Sequence, residues 1–269
     1  MCAPDTHAVL HRRLSRRSFF AASAASAAAA ATLTIRPANA QAGARVVDLT
    51  HTTTTDFPGF APGWGISFEN LAQMPGDGFN LRRWTLIEHL GTHLDAPIHF
   101  SENGMGPEAI PVEHLMCPLA IIDIAARAAE NADAQVTPDD IAAWERRNGA
   151  IPQGACVAMR SGWDAKVGDA NAFRNPDANG GLHFPGFHVE AAQMLMERGA
   201  VGMAVDTLSL DHGASQTFDT HYAWLPSNRW GLENVANLGA LPEAGATIIV
   251  GAPKIAGATG GPTRVLALV

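Results

Sequence analysis

The segment from residue 88 to residue 100 constrains this chain most; it reads Glu-His-Leu-Gly-Thr-His-Leu-Asp-Ala-Pro-Ile-His-Phe. Three histidines and one aspartate fall within eleven positions: His89, His93, Asp95 and His99. A regular helix is disfavoured, because Gly91 permits a tight backbone path and Pro97 removes a backbone donor. The segment is therefore predicted to be a strand and turn, on which His93 and Asp95 point to the same side.

This combination of side chains is typical of a metal centre. Imidazole and carboxylate groups are the ligands that zinc, manganese and iron prefer. An isolated histidine would more often be a surface or core residue. Three histidines at tight spacing with an aspartate, a glycine and a proline favour the ligand role instead. We therefore predict a divalent metal site in this segment.

The first forty residues differ in composition from the rest of the chain. Arg16-Arg17 lies just before two phenylalanines, an Ala/Ser-rich apolar run extends from Ala21 to Leu33, and Ala38-Asn39-Ala40 forms a small-x-small site. This order is typical of a secretory signal peptide, and the paired arginines indicate the twin-arginine route. A membrane anchor is the alternative, but the apolar run is short and weakly hydrophobic.

We accordingly predict a signal peptide at residues 1–40 and one domain at residues 41–269. The mature protein is expected in the periplasm, without membrane attachment once the signal is removed. Cys117 and Cys156 are the cysteines outside the signal. They could pair in an oxidising periplasm, but two buried structural thiols are the preferred interpretation.

The charge of the predicted mature chain argues against nucleic acid as a partner. Of the 18 Lys and Arg and 26 Asp and Glu, residues 1–40 contain five and one, which leaves 13 basic and 25 acidic side chains and a net charge of −12. An acidic surface repels phosphate backbones. Nucleotide cofactors also lack support, because no GxGxxG follows the first predicted strand and no Walker A loop is present.

Apolar runs and helix signals alternate along the domain. Short apolar runs predict strands at residues 45–49, 81–90, 119–124, 156–160, 201–206, 247–250 and 264–269. Thr137-Pro138 begins a helix that ends near Gly149, and Val189–Arg198 is a second helix. A short helix is predicted at Asn234–Leu238. Interleaved strands and helices indicate an α/β fold around a mixed sheet.

The spacing His89-x-Gly91-Thr92-His93-x-Asp95-x-Pro97-x-His99 resembles the signature of the cyclase-like metal-dependent hydrolases. That family includes bacterial kynurenine formamidases and isatin hydrolases. All seven fixed positions of the motif are present. The resemblance implies a swivelling β/β/α domain with a mixed sheet core, assembled as a homodimer or homotetramer.

The resemblance also implies roles for particular side chains. His89, His93 and Asp95 would bind a first metal ion. Asp95, His221 and Glu233 would bind a second, so that one or two ions of zinc or manganese are expected. Taken singly, His221 reads as an ordinary loop histidine, and Glu233 could equally be an acid in the first turn of a helix. The spacing between the two favours the ligand role.

His99 would act as the general base and acid, and Phe57, in the loop Phe57-Pro58-Gly59, would contact substrate. An aromatic cluster surrounds that loop, and a small satellite core explains it as well as a substrate wall does. Its members are Phe57, Phe60, Trp64 and Phe68.

The expected function is hydrolysis of a small amide, formamide or cyclic amide by metal-activated water. The alternative is a non-catalytic periplasmic protein that binds a metal or ligand on the same fold. His99 discriminates between the two, because a binder needs His89, His93 and Asp95 but not a fourth residue. Its presence favours the enzyme.

Overall fold

The computed structural model describes residues 45–269. The signal peptide predicted at residues 1–40 lies outside the described residues. Within residues 45–269, none of the helices combines the length and the apolar character needed to cross a bilayer.

One mixed sheet of nine strands forms the centre of the domain. Its strands, in chain order, are β1 (Val46–Asp48), β4 (His93–Asp95), β5 (Met116–Asp123), β7 (Cys156–Arg160), β9 (Gly202–Val205), β10 (Trp230–Glu233), β11 (Ala246–Gly251), β12 (Gly260–Pro262) and β13 (Arg264–Leu268). Across the sheet they follow the order β1-β13-β11-β5-β7-β9-β10-β4-β12. This mixed sheet confirms the predicted fold class.

The middle of the sheet is parallel and its two sides are antiparallel. Strands β5, β7, β9 and β10 run parallel to one another. Both faces of β5 are covered, since Ala120 and Ile122 belong to one apolar cluster and Leu119 and Ile121 to another. A strand buried on both faces reads as a continuous apolar run, which is why the sequence predicts β5 so clearly.

Five α-helices connect these strands in the described part of the chain. They are α1 (Ala125–Glu130), α2 (Pro138–Asn148), α3 (Ala170–Arg174), α4 (Val189–Glu197) and α5 (Asp219–Trp224). Helix α2 begins as predicted, with Thr137 and Asp140 forming a capping box and Pro138 in the first turn. Trp144 of α2 and Leu195 of α4 are buried in the same apolar cluster as Ala120 and Ile122, so these helices cover one face of the sheet.

Two smaller sheets flank the main one. Strands β2 (Ile66–Ala72) and β3 (Leu81–Leu86) form an antiparallel hairpin, and the short strands β6 (Gln135–Val136) and β8 (Gly186–Phe187) pair in parallel. The hairpin carries a cross-strand pair, Phe68 and Trp84, whose exposed fractions are 47% and 62%.

The predicted strands in the main sheet are confirmed to within three residues at each end, and Cys117 and Cys156 are both free and buried in it. The helix predicted at Asn234–Leu238 is wrong. Asn234 and Asn237 have left-handed backbones, Val235 bridges Thr50, and a single 3₁₀ turn follows at Leu238–Ala240. Asparagine tolerates the left-handed region and favours turns over helix interiors.

Gly202 in β9 lies opposite Trp230 in β10, and a Cβ at Gly202 would overlap with the indole ring. We expect Gly202→Ala to lower the free energy of unfolding by about 1–3 kcal/mol through overpacking. Gly168→Ala is the matched control, because nothing lies within 4 Å of a Cβ there. Urea unfolding monitored by tryptophan fluorescence measures both variants. Equal stability of the two would contradict this packing.

Candidate metal centre

Strand pairing brings His93 and Asp95 together with Glu233, a carboxylate far away in the sequence. His93 and Asp95 are the ends of β4, so their side chains share one face of the strand. Strand β10 pairs antiparallel with β4 and places Glu233 opposite His93. All three side chains are buried, and His93 Nε2 lies 3.2 Å from Asp95 Oδ1 and 3.3 Å from Glu233 Oε2.

Helix α5 supplies the fourth side chain, His221. Asp211 accepts hydrogen bonds from the backbone N–H groups of Thr220 and His221, at 2.8 and 3.1 Å, and thereby caps the start of the helix. His221 Nε2 then lies 3.2 Å from Glu233 Oε1 and 3.5 Å from Asp95 Oδ2. Nε2 of His93 and Nε2 of His221 therefore each lie within 3.5 Å of both carboxylates, those of Asp95 and Glu233.

In His93 and His221, the hydrogen-bond partner of Nδ1 determines which ring nitrogen faces the centre of the cluster. His93 Nδ1 lies 2.9 Å from the carbonyl oxygen of Gly91, which can only accept, so Nδ1 carries the proton. His221 Nδ1 lies 2.6 Å from the carboxylate oxygen Oδ2 of Asp211, which accepts, so this Nδ1 also carries the proton. Both histidines thus present Nε2 inward, the arrangement by which neighbouring acceptors orient metal-binding histidines.

His89 lies in the bend before β4 and joins the same cluster. Its Nε2 is 3.0 Å from Thr259 Oγ1, whose hydroxyl donates to Glu88 Oε2 and is therefore free to accept from His89. The lone pair of Nδ1 then faces Asp95 Oδ1 at 2.6 Å. Two acceptor atoms this close require a proton or a cation between them.

The electrostatics of the cluster favour positive charge. Burial disfavours the imidazolium form of His93, but the carboxylates of Asp95 and Glu233 outweigh burial and raise its pKa to about 10. Burial likewise opposes the carboxylate form of Asp95, yet the surrounding rings of His221, His89 and His93 hold its pKa well below the usual range. The buried carboxylates therefore hold protons on these imidazoles unless a cation takes their place.

The donor set fits a divalent metal ion. His93 Nε2 and Asp95 Oδ2 are buried without a hydrogen-bond partner, a costly state that a shared cation would relieve. Zinc binds imidazole nitrogen and carboxylate oxygen at about 2.0–2.2 Å. In a tetrahedral arrangement, bonds of that length place neighbouring donor atoms roughly 3.3–3.6 Å apart. The observed separations of 3.2–3.5 Å agree with that spacing. His93, Asp95 and Glu233 form one group of side chains able to hold an ion, and His89, Asp95 and His99 form another.

His99 lies beside the cluster on a 3₁₀ turn, Pro97–Phe100, and stacks on His89 with ring centroids 3.8 Å apart. Burial lowers the pKa of His99 to about 4, so the ring is neutral at pH 7. Among the described residues, neither of its ring nitrogens has a hydrogen-bond partner. A neutral, unpartnered imidazole in this position can accept and return a proton.

A cavity of about 210 Å³ opens directly onto His89, His99, His221 and Glu233. Its other walls are largely aromatic and apolar: Phe60, Trp64, Phe100, Leu208, Ser209 and Phe218. Phe218 has a left-handed backbone (φ 53°), which costs a non-glycine residue free energy and is common at functional sites.

The structure places Phe57 outside this cavity. Phe57 is buried in a small cluster with Ile66 and Leu90, as the satellite-core alternative predicts for that residue. Phe60 and Trp64, from the same loop, line the cavity instead, and Phe68 is exposed on the hairpin. The sequence pattern of this loop does not distinguish Phe57 from Phe60, because proline and glycine determine its backbone path.

Several supporting residues lie outside the predicted set of site residues. Asp211 orients His221, Thr259 pairs with His89, and Phe218 forms a cavity wall. The Asn234 carboxamide donates to the carbonyl oxygen of Gly91, 3.0 Å away, and so braces the turn that carries His93. Asn234 directly follows Glu233, and this adjacency is the signal by which the sequence could reveal it.

We expect Asp211→Asn to weaken metal binding by about 10- to 100-fold, because the carboxylate fixes the orientation and tautomer of His221. Competition with a chelator of known affinity measures the effect. Asp219→Asn, an exposed residue on the helix that carries His221, is the matched control. Unchanged affinity in the Asp211 variant would show that His221 needs no such partner or is not a ligand.

Comparison with known proteins identifies relatives of this chain. The Cyclase family model matches residues 47–212. Isatin hydrolase of Roseibium aggregatum is 34% identical over 215 residues, which cover 76% of this chain and 81% of that protein.

Solved structures give the same result. Isatin hydrolase A from Ralstonia solanacearum is 36% identical, with a TM-score of 0.80 over 86% of this chain and 94% of that chain. An isatin hydrolase bound to the product analogue thioisatinate is 30% identical, with a TM-score of 0.79 over 95% of this chain and 99% of that chain. The chain therefore belongs to the cyclase-like family of metal-dependent hydrolases.

Proposed function

We propose that this protein hydrolyses the amide bond of a small, aromatic cyclic amide of the isatin class and opens its ring to an aryl amine and a carboxylate. One observation carries the proposal: a neutral, unpartnered His99 and a metal-type donor cluster share one aromatic cavity. The names of the relatives, isatin hydrolases at 34% and 36% identity, support the same substrate class.

The cavity favours a small flat substrate. Drug-sized ligands occupy pockets of about 300–1,000 Å³, whereas this one has about 210 Å³. Phe60 and Phe218, whose ring centroids are 6.4 Å apart, and Trp64 offer apolar surface for a fused aromatic ring. Such walls also exclude water from the remainder of the site, which strengthens its electrostatic interactions.

His89, His93, Asp95, His221 and Glu233 would hold the metal, as one or two ions of zinc or manganese. When bound, a divalent ion lowers the pKa of water to about 7 and polarises a carbonyl oxygen. His99 would take a proton from the attacking water and deliver it to the amide nitrogen as the C–N bond breaks. The new C–O bond converts the carbonyl carbon to a carboxylate, and the nitrogen of the broken C–N bond becomes an amine.

The test is turnover of isatin and of N-formylkynurenine by purified protein, with and without prior chelation. We expect ring opening of isatin, loss of activity on chelation, and recovery when zinc or manganese is returned. Faster turnover of N-formylkynurenine would move the substrate to the arylformamidase class. Tight metal binding without turnover of either would favour the non-catalytic binder.

We also propose that the protein is exported to the periplasm by the twin-arginine route. The support is the Arg16-Arg17 signal pattern in the sequence. Replacing both arginines by lysine should leave the protein in the cytoplasmic fraction, whereas unchanged export would point to another route.

A homodimer or homotetramer is the proposed assembly. The exposed aromatic pair Phe68 and Trp84 on the β2–β3 hairpin supports it, because apolar patches of this kind often mark interfaces. Light scattering coupled to gel filtration tests it, and a monomer at micromolar concentration would contradict it.

A further inference from the structure

A second cavity, of about 370 Å³, adjoins the first and contains an arginine with no partner. Phe60 lines both cavities, so the two share one aromatic wall. The arginine is Arg174, the last residue of α3. Its Nε atom is fully enclosed and has no hydrogen-bond acceptor.

This lack of a partner is unusual for the molecule. Among the arginines of residues 45–269, only Arg174 and Arg146 have a guanidinium group with no hydrogen bond, ion pair or ring contact, and Arg146 is exposed. The described residues contain nearly twice as many acidic as basic side chains. Carboxylates are therefore abundant, yet none pairs with a half-buried guanidinium.

No carboxylate is among the residues that line the cavity, and the two aspartates within five residues of Arg174 in the sequence accept hydrogen bonds from other groups. Asp169 accepts from the backbone N–H groups of Asn171 and Ala172 at the start of α3, at 2.9 and 3.1 Å. Asp177 accepts from the N–H groups of Asn179 and Gly181, at 2.7 and 2.8 Å. Arg174 thus keeps an unsatisfied donor in a partly desolvated place, which costs free energy unless a ligand accepts from it.

The rest of the cavity indicates the ligand's shape. Phe60, Pro62 and Leu182 provide apolar walls, while Arg174 and Asn171 are its polar side chains. A guanidinium pairs best with a planar carboxylate, through two parallel hydrogen bonds. We propose that this cavity is a binding site for a small carboxylate with a flat apolar body, whose carboxylate pairs with Arg174.

The site is independent of the proposed ring opening, since carboxylate binding needs no turnover. If both hold, the product of ring opening is itself a carboxylate with a flat aromatic body, of the type that this second cavity accepts. A failure of isatin hydrolysis would leave the Arg174 site standing, and a failure of carboxylate binding would leave the hydrolysis standing.

Calorimetric titration of the metal-loaded protein with phenylacetate tests the proposal, with 2-phenylethanol as the uncharged probe of similar shape. We expect Arg174→Gln to weaken phenylacetate binding by about 10- to 100-fold and to leave the affinity for 2-phenylethanol unchanged. Arg146→Gln, which removes the exposed unpaired arginine, should change neither. Equal phenylacetate affinity in wild type and Arg174→Gln would overturn the site.

A crystal of the wild-type protein soaked with 4-bromophenylacetate gives a test without any variant. The anomalous signal of bromine should place the ligand between Phe60 and Leu182, with its carboxylate about 2.7–2.9 Å from the guanidinium. Bromine found only in the cavity beside His99 and Glu233 would show that the carboxylate binds at the metal centre and would overturn the proposal.

Discussion

Replacing Asp95 by asparagine is expected to remove the metal and with it nearly all hydrolysis. The carboxylate lies within 3.5 Å of ring nitrogens of three histidines, His89, His93 and His221, so it is the residue that the whole donor cluster shares. A carboxamide keeps the shape but loses the negative charge. Lewis-acid catalysis is worth several kcal/mol, and each 1.36 kcal/mol is a factor of ten, so we expect a fall in kcat/KM of at least about a thousandfold.

Metal content measured by elemental analysis, together with kcat/KM for isatin, checks this result. Asp123→Asn is the control, because Asp123 is paired with Arg160 away from the cluster. Circular dichroism and the thermal midpoint establish that the Asp95 variant is folded. A folded Asp95→Asn protein that keeps a full complement of metal would remove Asp95 from the ligand set.

Replacing His99 by alanine is expected to lower kcat by about 10²- to 10⁴-fold while the protein keeps its metal. His99 is neutral at pH 7, lines the cavity, and has no partner for its ring nitrogens among the described residues. Its loss removes a proton carrier but leaves His93, Asp95 and Glu233 in place.

The comparison with His93→Ala separates the two roles. That variant should lose metal and activity together, whereas His99→Ala should lose activity alone, with partial recovery in added imidazole. Because His99 also lies near His89 and Asp95 in a group able to hold an ion, metal loss in the His99 variant would make it a ligand and not a proton carrier.

The local part of the site is predictable from sequence for a simple reason. His93 and Asp95 are two residues apart on one short strand, and the alternation of a strand places them on the same side. His99 follows within one turn after Pro97. None of these placements requires knowledge of which strands pair.

The distant part of the site depends on pairing that composition does not encode. Glu233 meets His93 because β10 lies beside β4 in a particular register, across 140 positions of sequence. A shift of one residue would turn Glu233 to the other face of the sheet. The resemblance to a known family supplied Glu233 and His221, whereas each residue taken singly has an ordinary structural explanation.

The wrong helix prediction and the positions of the loop aromatics have equally physical reasons. The helix predicted at Asn234–Leu238 fails because Asn234 adopts a left-handed backbone and uses its side chain to brace Gly91. Phe57 and Phe60 are both aromatic residues of one irregular loop, and only the loop path decides which is buried in the core and which faces the cavity.

Titration of the purified protein with a chelator, with bound metal and isatin turnover recorded on the same samples, decides whether hydrolysis depends on the metal. The donor cluster around Asp95 and Glu233 predicts that turnover falls in proportion to bound metal and returns when zinc or manganese is added back. Undiminished turnover in protein stripped of its metal would contradict the account.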